Sequence, residues 1–420
     1  MTAPLTRRRF LGAFGATGAG AALAGTTLAG AALAACGSSS SDARSTTPTP
    51  ALIGRVPFRG IHQAGITTPA QDRLAFSALD VVTTDRAELT RLLARWTTMA
   101  EAMTRGEVVP GNQGDLAAAP ADTGEAYGLP PSRLTITIGY GPTLFDHRFG
   151  LTGQRPSLLE PLPRLPNEAL RPEISDGDLC IQACADDPAV AYHAVRNLVR
   201  AGIGTTTHRW MQFGFGRTSS TSTSQATPRN LMGFKDGTNN IKAEHRTDLD
   251  DFVWVGDDAE PRWLRGGSYV VARKIAMFLE TWDHDTLRDQ QDVIGRVKDT
   301  GAPLGQAAEF DALDLDAVGP DGEPVIPATA HVRLASPEAN GGTKLLRRGY
   351  HYTDGVDPAQ GNLEAGLFFI AFVSDPRHFI RVQRNLATDG LNEYTRHLSS
   401  GLFACPGGLA PGETWADQLF

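Results

Sequence analysis

The chain reads as an α+β protein of two domains, each an antiparallel sheet with helices packed on one face, meeting near residue 225. Three observations predict this. From residue 55 apolar strand-like runs alternate with amphipathic helical ones. Two of the strand-to-helix junctions repeat in their letters, and a polar, Ser/Thr-rich stretch separates the repeats.

"ALDVV" is followed by Thr84 and Asp85, then by a helix that puts Leu89, Leu92, Leu93, Trp96 and Met99 on one face. "DLCIQACAD" leads to Asp187-Pro188 and a helix to about Arg200. "SYVVARKIAMFLETW" precedes Asp283 and a helix through Val293. "GLFFIAFVS" leads to Asp375-Pro376 and a helix to about Leu386. In the second and fourth junctions Asp caps the helix and Pro takes its first position, where a missing N–H costs nothing. "DDPAVAYHAVRNLV" and "SDPRHFIRVQRNLA" share Asp-Pro and, at one fixed offset, Arg-Asn-Leu, which points to a duplication. Between the copies "GRTSSTSTSQATPRN" (Gly216 to Asn230) reads as a linker or exposed loop, so the domains are expected at 55–225 and 226–420.

Apolar residues make up 41% of the 420 and charged residues 20%, which suits a globular protein with a substantial core. The formal charge is -8, and the first 35 residues hold Arg7, Arg8 and Arg9 with no acid, so removing those three leaves a body at -11. A body this acidic repels phosphates and excludes a nucleic-acid partner.

The start reads as an address. "TRRRFL" (Thr6 to Leu11) leads into an uncharged Gly/Ala-rich run to Ala35, the pattern of a twin-arginine export signal over 1–35. A resident transmembrane helix is the competing reading, disfavoured because a Gly/Ala run is weakly hydrophobic. The run ends in "LAAC", which resembles a bacterial lipobox with Cys36 as the lipidated residue, and residues 36–54 read as a flexible tether. A lipid anchor would be the sole membrane contact, at the outer face of the cytoplasmic membrane; simple cleavage and release is the alternative. Cys180 and Cys184, roughly 13 Å apart along a strand, are too far apart for a mutual disulfide. With Cys405 they read as small buried apolar residues, a bridge from Cys405 to one of the others staying open.

No GxSxG elbow, P-loop, HExxH or dinucleotide fingerprint appears, and no histidine pairs at metal-ligand spacing with another histidine or a cysteine. What remains is a set in the second half: Asp236 in "LMGFKDGTNN", His331 in "ATAHVRLASP", Arg347 and Arg348 in "KLLRRGYHY", and Leu367 and Phe369 on one face of "GLFFIAF". Taken singly these read as a turn, a core histidine, a solvated edge and a core strand.

Together they do not. "GIHQAGITTPAQ", "DLCIQACADD", "GFKDGTNN", "HVRLASP", "LLRRGYHY" and "GLFFIAFVSDP" stand in the order found in dye-decolourising peroxidases. The chain resembles that family from about residue 57 to 408, in particular the exported branch that includes the deferrochelatase/peroxidases of bacterial iron uptake. The resemblance implies duplicated ferredoxin-like domains and one haem b per chain, held mainly by the C-terminal domain. It implies that His331 binds the haem iron on one face, that Asp236 and Arg347 stand on the opposite, distal face, and that Leu367 and Phe369 line the peroxide pocket. Arg348 points the other way along its strand and is expected to meet a haem propionate or solvent. Asp375 either accepts a hydrogen bond from the second nitrogen of His331 or only caps its helix.

The chemistry implied is reduction of hydrogen peroxide. One oxygen must lose a proton and the other must gain one, which a single carboxylate can manage as base and then acid. A fixed guanidinium stabilises the charge that develops as the O–O bond breaks. Tyr350, Tyr352, Trp210, Trp254, Trp263 and Trp282 are candidate routes for electrons from bulky donors, with core packing as their simpler role. The expected partners are hydrogen peroxide, a small organic donor or ferrous iron, iron-uptake permease components, and further copies of the chain. A haem- or iron-binding lipoprotein without turnover is the rival from another class.

Overall fold

A computed structural model describes residues 54–358 and 361–420; the expected signal, most of the tether and Cys36 lie outside the described residues. The N-terminal half runs β1 (Arg73–Val81), α1 (Arg86–Thr104), β2 (Thr135–Tyr140), β3 (Leu179–Ala185), α2 (Pro188–Ala201) and β4 (Thr206–Arg217). The C-terminal half begins with α3 (Arg246–Phe252), β5 (Ser268–Met277), α4 (Leu279–His284), α5 (Leu287–Ile294), α6 (His331–Ala335) and β6 (Leu346–Arg347). It continues with β7 (Tyr350–Val356), β8 (Leu363–Val373), α7 (Pro376–Asn385), β9 (Thr395–His397), β10 (Gly401–Cys405) and α8 (Trp415–Leu419).

Each half has the βαββαβ order of a ferredoxin-like unit, with the sheet order β4-β1-β3-β2 matched by β10-β5-β8-β7. The duplication legible in the two Asp-Pro junctions is therefore structural. Asp187 Oδ1 accepts from Ala189 N at 2.7 Å, and Asp375 Oδ1 from Arg377 N at 2.8 Å, each ahead of a first-turn proline. Asp85 caps α1 in the same way, accepting from Ala87 N at 2.7 Å.

The two sheets are not separate. β4 pairs with β7 (Phe215↔His351) and β2 with β10 (Ala404↔Tyr140), so eight antiparallel strands close into a barrel. Edge strands present unpaired backbone groups, and here the edges of one half satisfy those of the other. Closure also explains why strand alternation was faint in the sequence: β3 is buried at all seven positions. Phe76, Trp210, Tyr350, Tyr352, Phe368 and Phe403 fill the barrel interior, while the outer face of the N-terminal sheet packs under α1 and α2.

Two expectations change, and one open alternative closes. The third junction places Asp283 inside α4 rather than at a helix start; β5 ends at Met277, and the second helix is capped by Thr286, whose hydroxyl accepts from Asp289 N. The Ser/Thr stretch is not an exposed linker in its first half, since Thr218 to Ser222 are buried. Two of these hydroxyls find partners, Thr221 Oγ1 donating to Thr68 O at 2.9 Å and Ser222 Oγ to Glu244 Oε1 at 2.6 Å, whereas Ser219 Oγ is buried without one. Cys180, Cys184 and Cys405 are buried and free. Cys180 on β3 and Cys405 on β10 have β2 between them, about 10 Å of sheet, too wide for a bridge.

Candidate functional site

The connection from β4 to α3 builds the turn that carries Asp236. Asn230 Oδ1 accepts from Met232 N at 3.1 Å and Phe234 N at 3.2 Å, and Asp236 N donates to Pro228 O at 2.9 Å. Gly237 follows at φ +84, where a Cβ would stand 2.9 Å from Ser219 Cα, so only glycine lets the turn lie on the buried serine stretch. The turn leaves the Asp236 carboxylate pointing away from its own backbone, and Oδ1 accepts from Arg347 Nη1 at 2.8 Å.

Arg347 is held by a device the sequence did not reveal. It lies on the two-residue strand β6, paired on one side with Ala371 of β8. On its other side the buried Asn240 amide stands in for a strand: Oδ1 accepts from Arg347 N at 2.7 Å, and Nδ2 donates to Arg347 O at 2.9 Å. Asn240 thus fastens the Asp236 turn to the arginine that Asp236 pairs with. Lys242 locks the same turn, donating to Ser220 O at 2.8 Å, and burial, then the Arg347 charge, push its pKa down to about 8. Register puts Arg347, Ala371, Phe369 and Leu367 on one face of the sheet, outside the barrel, with Leu367 and Phe369 half-buried there.

His331 opens α6. Its Nδ1 and Asp389 Oδ2 are 2.6 Å apart, and Asp389 is itself 3% exposed. Burial works to lower the His331 pKa, but the charge and hydrogen bond of Asp389 outweigh it and raise the value. Asp236 reinforces the rise and Arg347 opposes it, so the Asp236–Arg347 pair and the imidazole share one electrostatic environment. The His331 side chain lies deep among protein atoms yet stays 31% exposed, and Arg347 stays 29% exposed. Neither side chain is fully covered by protein atoms.

One expected site residue, Arg348, is corrected, and of the two roles left open for Asp375 the helix cap is the one observed. Asp375 does not support His331; it caps α7 and forms an ion pair with Arg377, while the aspartate that does the supporting is Asp389. The Asp389 loop is tied to the start of α6 through Gly390 N to Thr329 O at 3.0 Å, a long-range contact with no local pattern. Arg348 does not meet solvent. It is 0% exposed and donates to Thr68 O and Gln71 Oε1, pinning the second half to the first.

Of the six aromatic candidates, Tyr350, Tyr352 and Trp210 sit in the barrel interior, Trp254 stacks on His62 at 3.7 Å, and Trp263 packs against Phe145. Trp282 alone among them shares a cluster with Leu367.

On the same outer face His397 of β9 is buried with Nδ1 unpartnered, beside the buried Arg273 that pairs with Glu168 at 2.6 Å. Burial, then Arg273 and Arg396, push the His397 pKa down from 6.5 to about 3. Between those values the unfolded chain holds a proton that the fold refuses, so stability falls as pH drops through this window, by up to about 1.4 kcal/mol per pH unit. His397→Asn is expected to flatten that acid limb relative to wild type, as urea midpoints from pH 7 to 4 would show.

Comparison with known proteins gives the class. Residues 227–410 match the family described as Dyp-type peroxidase, C-terminal, and residues 63–216 match Dyp-type peroxidase, N-terminal, which makes the protein an oxidoreductase of the haem-peroxidase class. The chain belongs to the Dyp-type peroxidase family. A deferrochelatase of Yersinia pseudotuberculosis is 38% identical over 371 residues, 86% of this chain and 84% of that protein. Ferric DtpA from Streptomyces lividans is 40% identical with a TM-score of 0.80, over 89% of this chain and 99% of that one. A DyP-type peroxidase from Streptomyces coelicolor, also 40% identical, has a TM-score of 0.81 over the same shares.

Proposed function

We propose that the chain holds one haem b between His331 and the Asp236–Arg347 pair, and reduces hydrogen peroxide to water while two small organic donors each lose one electron and one proton. The observation that carries this reading is the pairing of an imidazole backed by a carboxylate at 2.6 Å with a guanidinium–carboxylate pair at 2.8 Å whose charges both act on that imidazole. Among the described residues no three His, Cys, Asp or Glu side chains converge as a metal-ligand set. An iron on His331 would take its other ligands from a tetrapyrrole, and the partly exposed Arg347, Leu367 and Phe369 suit such a group.

The haem supplies the iron at which the O–O bond breaks and stores the oxidising equivalents. The protein supplies the rest. Asp389 fixes the proton of His331 on Nδ1, leaving Nε2 as the donor atom and raising its basicity. Asp236 takes a proton from one peroxide oxygen and returns it to the other. Arg347, its backbone clamped by Asn240, holds that carboxylate in place and stabilises negative charge on the departing oxygen. Leu367 and Phe369 exclude bulk water and strengthen both charges. The haem-loaded chain should bleach an aromatic dye only when peroxide is added; a Soret band without peroxide-dependent bleaching favours the non-catalytic carrier.

The deferrochelatase name of the Yersinia relative supports a second reading, action on haem or ferrous iron within iron uptake. Release of iron from added haem, or peroxide-dependent oxidation of iron(II), would distinguish it from dye oxidation. The "TRRRFL" and "LAAC" segments support export by the twin-arginine route and tethering through Cys36. Among the described residues no helix is long and apolar enough to cross a membrane.

A further inference from the structure

We infer that Glu309 is a positioning residue for Asp236: from the segment after α5 it grips the residues on both sides of that aspartate and so fixes where its carboxylate stands. The inference rests on the peroxidase reading and adds to it a residue that acts through others.

Residues 296–309 lead from α5 toward α6 and lie along the turn that carries Asp236. Each of the two is a small hairpin, closed by the antiparallel bridges Arg296↔Pro303 and Arg229↔Lys235. Arg229 fastens one to the other, Nη1 donating to Lys298 O and Nη2 to Asp299 O, both at 2.6 Å. Lys298 Nζ lies 5.4 Å from the centre of the Phe234 ring. Gly301 rests on the Lys235 stem, since a Cβ there would stand 2.6 Å from Lys235 Cδ.

Glu309 completes the grip with both carboxylate oxygens. Oε2 pairs with Lys235 Nζ, and Oε1 accepts from Thr238 Oγ1 at 3.1 Å. Lys235 and Thr238 bracket Asp236 and Gly237, so one carboxylate spans the turn whose own aspartate meets Arg347. Burial works to raise the Glu309 pKa, but hydrogen bonds from Lys235, Thr227 and Thr238 outweigh it and hold the group below the usual carboxylate range. An ionised Glu309 also engages the Lys235 ammonium, which keeps that cation from competing with Arg347 for Asp236. The Glu309 backbone is anchored independently, because Arg296 Nη1 donates to Glu309 O at 3.0 Å and to Gly301 O at 2.7 Å. The side chain can therefore be changed while the segment stays in place. Misplacing a reacting group by about 1 Å costs up to about 10²-fold in rate, so such a clamp has kinetic weight.

The test uses haem-loaded full chains: wild type, Glu309→Gln, which keeps the size and loses the charge, and the reversed pair Lys235→Glu/Glu309→Lys. Amide hydrogen exchange is followed at residues 234–240. Stopped-flow mixing gives the association rates of peroxide and of hydrogen cyanide, which must shed its proton to bind iron. Glu309→Gln should speed exchange across the turn and slow both associations about tenfold at unchanged haem content, and the reversed pair should recover most of each loss. Unchanged association rates, whether or not exchange speeds up, would overturn the inference, as would a reversed pair no better than Glu309→Gln. A wild type that binds cyanide yet does not react with peroxide would end the peroxidase reading, and cyanide binding and exchange would still judge Glu309.

Discussion

Replacing Asp236 by asparagine is expected to leave haem content unchanged and to slow the first reaction with hydrogen peroxide by about 10²- to 10⁴-fold, the usual worth of a positioned acid–base group. Asparagine keeps the shape and can still lie beside Arg347, so the 2.8 Å contact is lost only as an ion pair. What disappears is the ability to take a proton and give it back. Stopped-flow mixing with peroxide, followed at the Soret band, measures this directly. A rate within threefold of wild type would hand the proton transfer to water and leave Arg347 as the main catalytic side chain. Haem content must be measured alongside, because a general collapse of the turn at Gly237 would lower both.

The second large effect belongs to Asp389. Asp389→Asn should weaken haem retention by about 10- to 100-fold, the cost of losing a carboxylate behind a ligating histidine. The asparagine cannot pull on the Nδ1 proton as a carboxylate does, and it surrenders the charge that raises the His331 pKa. Asp375→Asn is the control. Asp375 is a helix cap paired with the exposed Arg377; asparagine caps about as well, so the change costs at most about 1 kcal/mol of stability and does not touch haem affinity. Haem transfer to a competing apoprotein separates the two outcomes. Equal loss in both variants would mean that Asp389 acts only as the cap of its own short turn.

The contrast between these two aspartates shows where the sequence is legible. Asp375, Asp187 and Asp85 announce themselves because a cap is local, two residues from the N–H it binds. Arg347, Leu367 and Phe369 were picked out by the family resemblance rather than by any local pattern, and β6–β8 register puts all three on one side. Asp389 gave no such signal: "ATDGLNEY" looks like any Asp-Gly turn, and its partner lies 58 residues away. Asn240 was hidden for the same reason, acting on a backbone 107 residues distant. Closure of the two sheets into one barrel was also unreadable, since the β4–β7 and β2–β10 contacts are backbone pairings indifferent to side-chain type. The buried serine stretch misled because composition reports polarity, whereas burial depends on long-range partners such as Thr68 O and Glu244, which composition does not show.

The most direct test is spectroscopic: purify the chain and its His331→Ala variant after expression with ample porphyrin supply, load both with haem, and record the axial iron–imidazole signature by resonance Raman. Wild type should show a Soret band and a histidine-bound iron, and the variant should lose that bond, recovering it when free imidazole is added. An intact histidine bond in the variant, or a wild-type protein that stays colourless, would contradict the account.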